Sequence, residues 1–178
     1  MRPSLIGSIA AALLAGCASG SPAGLAPVTL VPQVDLPRFM GDWYVIANIP
    51  NFLEEGAHNA KDSYRLDPDG TIPTTFSFNA DAFAGPRKTY DSRGFVLDRS
   101  NAVWGQQYVW PIRADYRISY LSSDYTQAVI TREKRDYVWI LARAPTIPAA
   151  DLAKLIAFVG TQGYDTSMIQ RVPQAGGR

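Results

Sequence analysis

The residue types that most often carry enzyme chemistry are scarce in this sequence of 178 residues. It contains one cysteine, Cys17, and one histidine, His58, which excludes a disulfide within the chain. A zinc site usually draws on several Cys, His and carboxylate ligands, so none is expected. A catalytic triad would have to use His58 alone. The sequence therefore predicts no metal ion, no cofactor and no catalytic residue.

The charged residues are balanced, and the formal net charge is +1. The densest basic cluster consists of Arg132, Lys134 and Arg135, but Glu133 interrupts it and Asp136 follows it. Acidic residues inside such a cluster fit a hairpin turn, whereas nucleic-acid binders carry a basic surplus or a basic face. We expect no nucleic-acid partner.

The surroundings of Cys17 indicate a different role for this residue. Residues 1–16 begin with the charged Arg2 and continue as an apolar stretch that is too short to span a bilayer, as in a secretory signal peptide. The stretch ends in Leu14-Ala15-Gly16-Cys17, which resembles the lipobox of bacterial lipoproteins. The resemblance implies acylation of Cys17 and, with Ala18 next, anchoring in the outer membrane facing the periplasm. The alternative is an ordinary signal peptide that a cysteine happens to follow.

Residues 17–37 are predicted to form the lipid anchor and a flexible tether. The stretch is rich in alanine, glycine, serine and proline and lacks the periodicity of a helix or a strand. Fully extended, it would reach about 60 Å at roughly 3.1 Å per residue. We therefore expect the folded domain to stand off from the membrane.

The elements after residue 37 are predicted to be mainly β-strands. Short runs of aromatic and β-branched residues alternate with turn sequences such as Asp67-Pro68-Asp69-Gly70. No long connection occurs between residues 60 and 143, which favours an up-and-down barrel over a Greek-key sandwich. The sequence thus predicts an all-β protein with eight antiparallel strands, near residues 42–50, 60–66, 72–79, 88–97, 102–110, 113–121, 125–133 and 136–143.

A helical period follows the strands. Leu152, Leu155, Ile156 and Val159 form one apolar stripe, which predicts an amphipathic helix packed outside the barrel. A short final strand is expected near residues 167–172. The predicted barrel domain covers residues 38–173, and residues 174–178 are expected to form a flexible tail.

Three motifs in this order resemble those of the lipocalins, and in particular of the bacterial members. Gly41-Asp42-Trp43 resembles the G-x-W motif of the first strand. Asp124-Tyr125 resembles the second motif, between the sixth and seventh strands, and Arg143 resembles the third, before the helix. The resemblance covers about residues 37–173. It implies structural roles for the motif residues, with Trp43 closing one end of the barrel and the guanidinium of Arg143 across its ring.

The resemblance also implies an internal cavity for a hydrophobic ligand, with fatty acids or lysophospholipids as the ligands of bacterial members. Because side chains alternate between the two faces of a strand, every second residue counted from Trp43 and from Arg143 is expected to face the cavity. These residues are Val45, Ala47, Ile49, Tyr137, Trp139 and Leu141. Resemblance adds Tyr116, Ile118 and Val129. We expect a mostly apolar lining with tyrosine hydroxyls for a polar group, and the alternative is a dry core.

Phe52 and Leu53 lie on the first long loop, which in lipocalins covers the open mouth. They could form a lid, touch a membrane or be buried by the loop itself. His58, just after them, is interpreted as a solvated loop residue.

Three functions stay open at this level. The first is reversible binding, storage or transport of a lipid by a monomer or a homodimer. The second is a lipocalin-type enzyme, an isomerase or de-epoxidase, for which His58, Tyr116 or a carboxyl group inside the barrel would be the candidates. The third is a structural lipoprotein of the envelope that uses the exterior of the barrel.

Overall fold

The computed structural model describes residues 24–175. A short helix, α1 (Leu36–Phe39), precedes eight long strands. A second helix, α2 (Ala149–Thr161), a single 3-10 turn (Thr166–Met168) and a two-residue strand follow them. The strands are β1 (Gly41–Ile49), β2 (Ala57–Tyr64), β3 (Ile72–Ala80), β4 (Arg87–Val96), β5 (Val103–Val109), β6 (Ile112–Leu121), β7 (Gln127–Thr131), β8 (Val138–Ala142) and β9 (Gln170–Arg171).

The eight long strands form a closed antiparallel barrel. Each strand pairs with the next along the chain, and β1 pairs with both β2 and β8. The predicted up-and-down lipocalin barrel is confirmed. In this topology the β1–β2, β3–β4, β5–β6 and β7–β8 connections share one end, which we call the mouth. The other connections share the opposite, closed end with α1.

Helix α2 packs on the outside of the barrel, as predicted. Its apolar stripe buries Leu152, Leu155 and Val159 in a cluster with outward-facing residues of β1, β7 and β8. Strand β9 then pairs with Ala47 and Asn48 of β1. This apolar cluster therefore lies between the helix and the sheet, and it is separate from the apolar core inside the barrel.

A β-bulge in β1 corrects the predicted cavity lining. The register with β8 shifts between Val45 and Ala47, so Val45 faces the interior whereas Ala47 and Ile49 pack against α2. One extra residue in a strand reverses the alternation beyond it. Val129 also belongs to the helix-side cluster, and its neighbour Ile130 faces inward.

The segment before α1 is not the free tether that the sequence predicts. Residues 24–35, which we call the N-terminal strap, run along the side of the barrel from the mouth to the closed end. The amide of Val31 donates to the carbonyl of Ile118 at 3.1 Å, and Val28 and Val34 are buried. The prolines keep this segment out of helices and strands, but they do not prevent it from packing against the barrel. Cys17 and the predicted signal peptide lie outside the described residues.

The C-terminal residues also depart from the prediction. Gln174 is buried, and its side-chain amide donates to the carbonyls of Val45 and Ala60 at 2.9 and 3.0 Å. These contacts bridge β1 and β2 where their direct pairing stops after Tyr44. Gln174 therefore does not belong to a flexible tail, contrary to the prediction. No helix within residues 24–175 has the length and apolar character needed to cross a bilayer.

Candidate functional site

The closed end of the barrel is built by the first and third motifs. Trp43 is fully buried, and its indole nitrogen donates to the carbonyl of Phe39 at 2.8 Å. The guanidinium carbon of Arg143 lies 3.9 Å from the centre of the Trp43 ring, and its nitrogens donate to the carbonyls of Arg38, Phe39 and Asp42. Gly41 has a positive φ of 94°, and a Cβ there would lie 3.4 Å from Nη1 of Arg143. The motif thus fastens α1 to β1.

The second motif holds α1 from the other side. The side chain of Asp124 accepts hydrogen bonds from Ser122 and Thr126 and so fixes the turn between β6 and β7. The hydroxyl of Tyr125 accepts from the amide of Asp35 at 2.9 Å, and the guanidinium of Arg38 lies 4.0 Å from the Tyr125 ring. The motif residues therefore seal the barrel and do not line its cavity.

An inner cavity of about 80 Å³ lies above this seal. Its floor is a pair of buried tyrosines, Tyr64 and Tyr116, whose hydroxyl oxygens are 2.9 Å apart. Tyr116 stacks on Trp104 with ring centres 4.9 Å apart. Contrary to the expected apolar lining, eleven of the fourteen residues that line the cavity are polar or carry a polar tip: Asn51, Glu54, Asp62, Tyr64, Thr74, Gln106, Tyr108, Asp115, Tyr116, Arg132 and Trp139. The other three are Phe76, Ala114 and Ile130.

Asp62 is the acidic group nearest to the floor. It lies on β2 two residues before Tyr64, on the same side of the strand, and opposite Phe76 of β3. Burial raises the pKa of its carboxyl group to about 8, and the nearby Glu54 adds to the rise while Tyr64 opposes it. None of the ion pairs between described residues includes Asp62.

Glu54 fastens the β1–β2 loop over the cavity. Its carboxyl group accepts from Asn48 of β1 at 2.9 Å, from Asn51 of the loop at 2.6 Å and from the indole of Trp139 of β8 at 2.9 Å. Burial raises its pKa to about 7, although the three hydrogen bonds favour the charged form. The loop is thereby held in one position by donors from two strands.

A second space of about 250 Å³ continues the inner cavity toward the mouth. This mouth groove shares five residues with the cavity and adds mainly apolar and aromatic ones: Phe52, Leu53, Tyr90 and Tyr137. Arg132 lines both spaces; its Nε is 3.2 Å from Asp136, and its guanidinium lies 5.1 Å from the Tyr137 ring. Phe52 is 79% exposed and Leu53 39%.

Of the nine residues that the sequence predicted to line the cavity, three line the inner cavity or the mouth groove. Tyr116 and Trp139 line the inner cavity, and Tyr137 lines the mouth groove. Val45, Ile118 and Leu141 are buried in the barrel core and line neither space. The ring of His58 packs at 5.0 Å against Phe83 on the mouth rim, and His58 does not line the cavity.

The polar residues of the cavity, chiefly Asp62, Glu54, Gln106 and Arg132, were not predicted from the sequence. For Asp62 a signal existed, because alternation along β2 from Ala60 and Tyr64 places it on the inner side. Glu54 carried no such signal, since it lies on a loop whose course depends on its partners in β1 and β8.

A family model described as a lipocalin-like domain matches residues 34–174, which is most of the chain. The chain belongs to the lipocalin family. The resemblance inferred from the three motifs is thereby confirmed, and membership supports the binding of a hydrophobic ligand.

The relatives of this lipocalin include bacterial and plant proteins. The outer membrane lipoprotein Blc of Citrobacter freundii is 30% identical over 168 residues, which cover 94% of this chain and 93% of that protein. Temperature-induced lipocalin-1 of Arabidopsis thaliana is 28% identical over 156 residues, with 82% of each chain covered. Insecticyanin of the tobacco hornworm Manduca sexta has the same fold, with a TM-score of 0.63 at 14% identity over 88% of this chain and 87% of that one.

Proposed function

We propose that this lipocalin binds a single-chain lipid in its cavity and mouth groove and stores or transports it at the cell envelope. The observation that carries the proposal is the enclosed inner cavity, which opens through an apolar groove at the mouth. Ligand sites of this kind are concave and combine apolar walls with a few polar groups. Fatty acids and lysophospholipids are the first ligand classes to test.

The proposed location is the outer membrane, facing the periplasm, with the acylated Cys17 as the anchor. Two observations support it: the lipobox-like residues 14–17, and the name of the bacterial relatives as outer membrane lipoproteins. Acylation can be measured directly, because the mass of the mature chain would exceed that of residues 17–178 by the mass of the acyl groups.

The binding proposal is tested by native mass spectrometry of the purified protein and by organic extraction of bound lipid. We also expect added dodecanoate or lysophospholipid to change the tryptophan fluorescence, because Trp139 lines the cavity. Trp139→Phe should reduce this signal, and the rim substitution Trp110→Phe should preserve it. Recovery of no lipid, together with no fluorescence change in the wild type, would contradict the proposal.

An enzymatic function has one observation in its favour, namely the raised pKa of Glu54 and of Asp62 inside the cavity. All three donors to Glu54 come from the protein, so this group serves the structure. Asp62 is the group that remains for a ligand. An enzyme would convert a lipophilic substrate at a rate that Asp62→Asn abolishes, whereas a binding protein returns its ligand unchanged.

A further inference from the structure

The inner end of the cavity is polar at the position where the end of an alkyl chain would require an apolar surface. The hydroxyls of Tyr64 and Tyr116, the side chain of Thr74 and the carboxyl group of Asp62 lie there together. An alkyl end placed among these groups would separate them from water without replacing their hydrogen bonds, which is unfavourable.

Asp62 is the acceptor in this group that the protein leaves without a strong donor. The other two carboxyl groups of the lining are engaged: Glu54 accepts from three side chains, and Asp115 accepts from Arg117 and from the amide of Glu133. Asp62 has only the neighbouring Tyr64 hydroxyl, which Tyr116 also contacts. Asp62 is half-buried, and an acceptor in such a position is matched when a ligand supplies the donor.

The sizes of the inner cavity and the mouth groove fit a ligand with a small polar end and a larger apolar body. The inner cavity, of about 80 Å³, accommodates a small polar group, and the mouth groove, of about 250 Å³, has the apolar walls that a hydrocarbon body needs. A ligand that occupies both would have its polar group at the inner end and its apolar part toward the rim.

We propose that the cavity selects a lipophilic molecule that enters with a small hydrogen-bond donor first, a hydroxyl or a protonated amine, and that Asp62 accepts this donor. The inference rests on the proposed function and narrows its ligand class. Where Asp62 and Glu54 are ionised, a ligand carboxylate at the same position would face two like charges, so ionised fatty acids are disfavoured there.

The test compares three ligands with the same chain length, dodecylamine, dodecan-1-ol and dodecanoate, by fluorescence titration of the mature chain at pH 9, where Asp62 and Glu54 are both ionised. We expect at least one of the two donor ligands to bind about 10-fold or more tightly than dodecanoate, because a hydrogen bond to a charged group contributes about that factor or more. The amine and the alcohol differ in charge, so their order shows whether the donor is charged.

Asp62→Asn should remove most of this preference by weakening the donor ligand and strengthening dodecanoate. Glu55→Gln, an exposed neighbour on the β1–β2 loop, is the charge-matched control and should leave the preference unchanged. Equal or tighter binding of dodecanoate by the wild type would overturn the proposal even if the variant failed to fold. Binding of none of the three ligands would contradict the proposed function itself.

A separate observation concerns the rim of the mouth. Three of its loops present large apolar side chains to solvent: Phe52, Leu53, Phe83, Val109, Trp110 and Ile112. Trp110 and Ile112, at the tip of the β5–β6 hairpin, are 83% and 70% exposed. Exposed apolar groups that cluster in this way mark a surface for a partner or a membrane, and tryptophan is favoured at the boundary between lipid and water.

The course of the N-terminal strap, together with the proposed acyl anchor at Cys17, indicates that this partner is a lipid bilayer. Arg135, on the mouth connection between β7 and β8, donates to the carbonyl of Ala26, so the strap first contacts the outside of the barrel at its mouth end. Gly24, the first described residue, lies seven positions after Cys17. Seven residues span at most about 25 Å, so an anchor at Cys17 keeps the mouth close to the bilayer.

We infer that the mouth rim inserts its apolar side chains into the surface of a lipid bilayer, so that the cavity opens toward the membrane. The rim can be tested without the anchor, by measuring the partitioning of the mature Cys17→Ser chain onto phosphatidylethanolamine–phosphatidylglycerol vesicles. Trp110→Ser combined with Ile112→Ser should lower the partition coefficient about 10-fold or more.

Leu97 provides the matched control, because it is 56% exposed on the β4–β5 connection at the closed end. Leu97→Ser should leave the partitioning unchanged. Equal partitioning of the rim and closed-end variants, or no measurable partitioning of the parent chain, would overturn the inference. Neither result depends on ligand binding or on acylation of Cys17.

Discussion

At the scale of single residues, the most recognisable side chains of the chain stabilise the fold. Arg143 reaches three carbonyls of α1 and β1 and covers the ring of Trp43, and that ring donates to Phe39. Asp62, which belongs to no motif, lines the inner cavity. The conspicuous sequence motifs and the residues that line the inner cavity are therefore different sets in this molecule.

Trp43→Ala should lower the free energy of unfolding by about 3–5 kcal/mol, the usual cost of removing a buried aromatic side chain. Urea denaturation of the mature chain measures this change. Trp110→Ala is the matched control, since that tryptophan is 83% exposed, and it should change the stability by less than about 0.5 kcal/mol. A loss of less than about 1 kcal/mol for Trp43→Ala would contradict its role in closing the barrel.

At the scale of elements, periodicity and turn chemistry were sufficient to predict eight strands, their order and the outer helix. Alternation along a strand correctly predicted which side chains face inward where the strand is regular, as for Trp139 and Leu141 of β8. It failed beyond the bulge of β1, because the extra residue turns Ala47 and Ile49 toward α2. A bulge depends on the register with two neighbouring strands, which the local sequence does not encode.

The N-terminal strap shows a related limit of prediction. Its composition is that of a linker, yet Val28 and Val34 are buried on the barrel and Thr29 donates from its amide to Gln162. Long-range partners of this kind decide whether an irregular segment packs, and no local pattern contains them.

The position of the β1–β2 loop depends on the hydrogen bonds of Glu54, and this dependence can be tested. Glu54→Ala would leave the donors of Asn48, Asn51 and Trp139 without their acceptor, and each buried unmatched donor costs about 1–3 kcal/mol. We expect the amide of Ala57, which donates to the carbonyl of Glu54, to exchange hydrogen about 10-fold faster or more. The exposed neighbour substitution Glu55→Ala should leave the exchange rate unchanged, and equal rates in both variants would refute the anchoring role of Glu54.

At the scale of the whole molecule, the two acidic groups of the cavity connect stability to pH. The pKa values of Glu54 and Asp62 are raised to about 7 and about 8 from 4.5 and 3.8. Between the lower and higher values, the folded protein holds more protons than the unfolded chain, so stability falls as the pH rises. The acids with lowered pKa, among them Asp42 and Asp98, act below pH 4 and do not enter this window.

The free energy of unfolding should therefore decrease between pH 5 and pH 8 by several kcal/mol, since a pKa difference of one is equivalent to about 1.4 kcal/mol. Urea denaturation at a series of pH values measures the slope. Asp62→Asn should reduce the slope to the part that Glu54 contributes, whereas Asp69→Asn, in the exposed β2–β3 turn, should leave it unchanged. A stability that stays constant or rises from pH 5 to pH 8 would show that the two groups are not buried in this way.

The N-terminal strap also determines how the molecule would respond to a mechanical pull on the N-terminal end of the chain. Tension along the chain meets first the contact of Ala26 with Arg135, then those of Thr29 with Gln162 and Val31 with Ile118, and only afterwards α1. These hydrogen bonds are loaded one after another from the mouth downward. Residues 24–34 can therefore peel away and add about 35 Å of reach before any force arrives at Phe39 and Trp43, which keep the barrel closed.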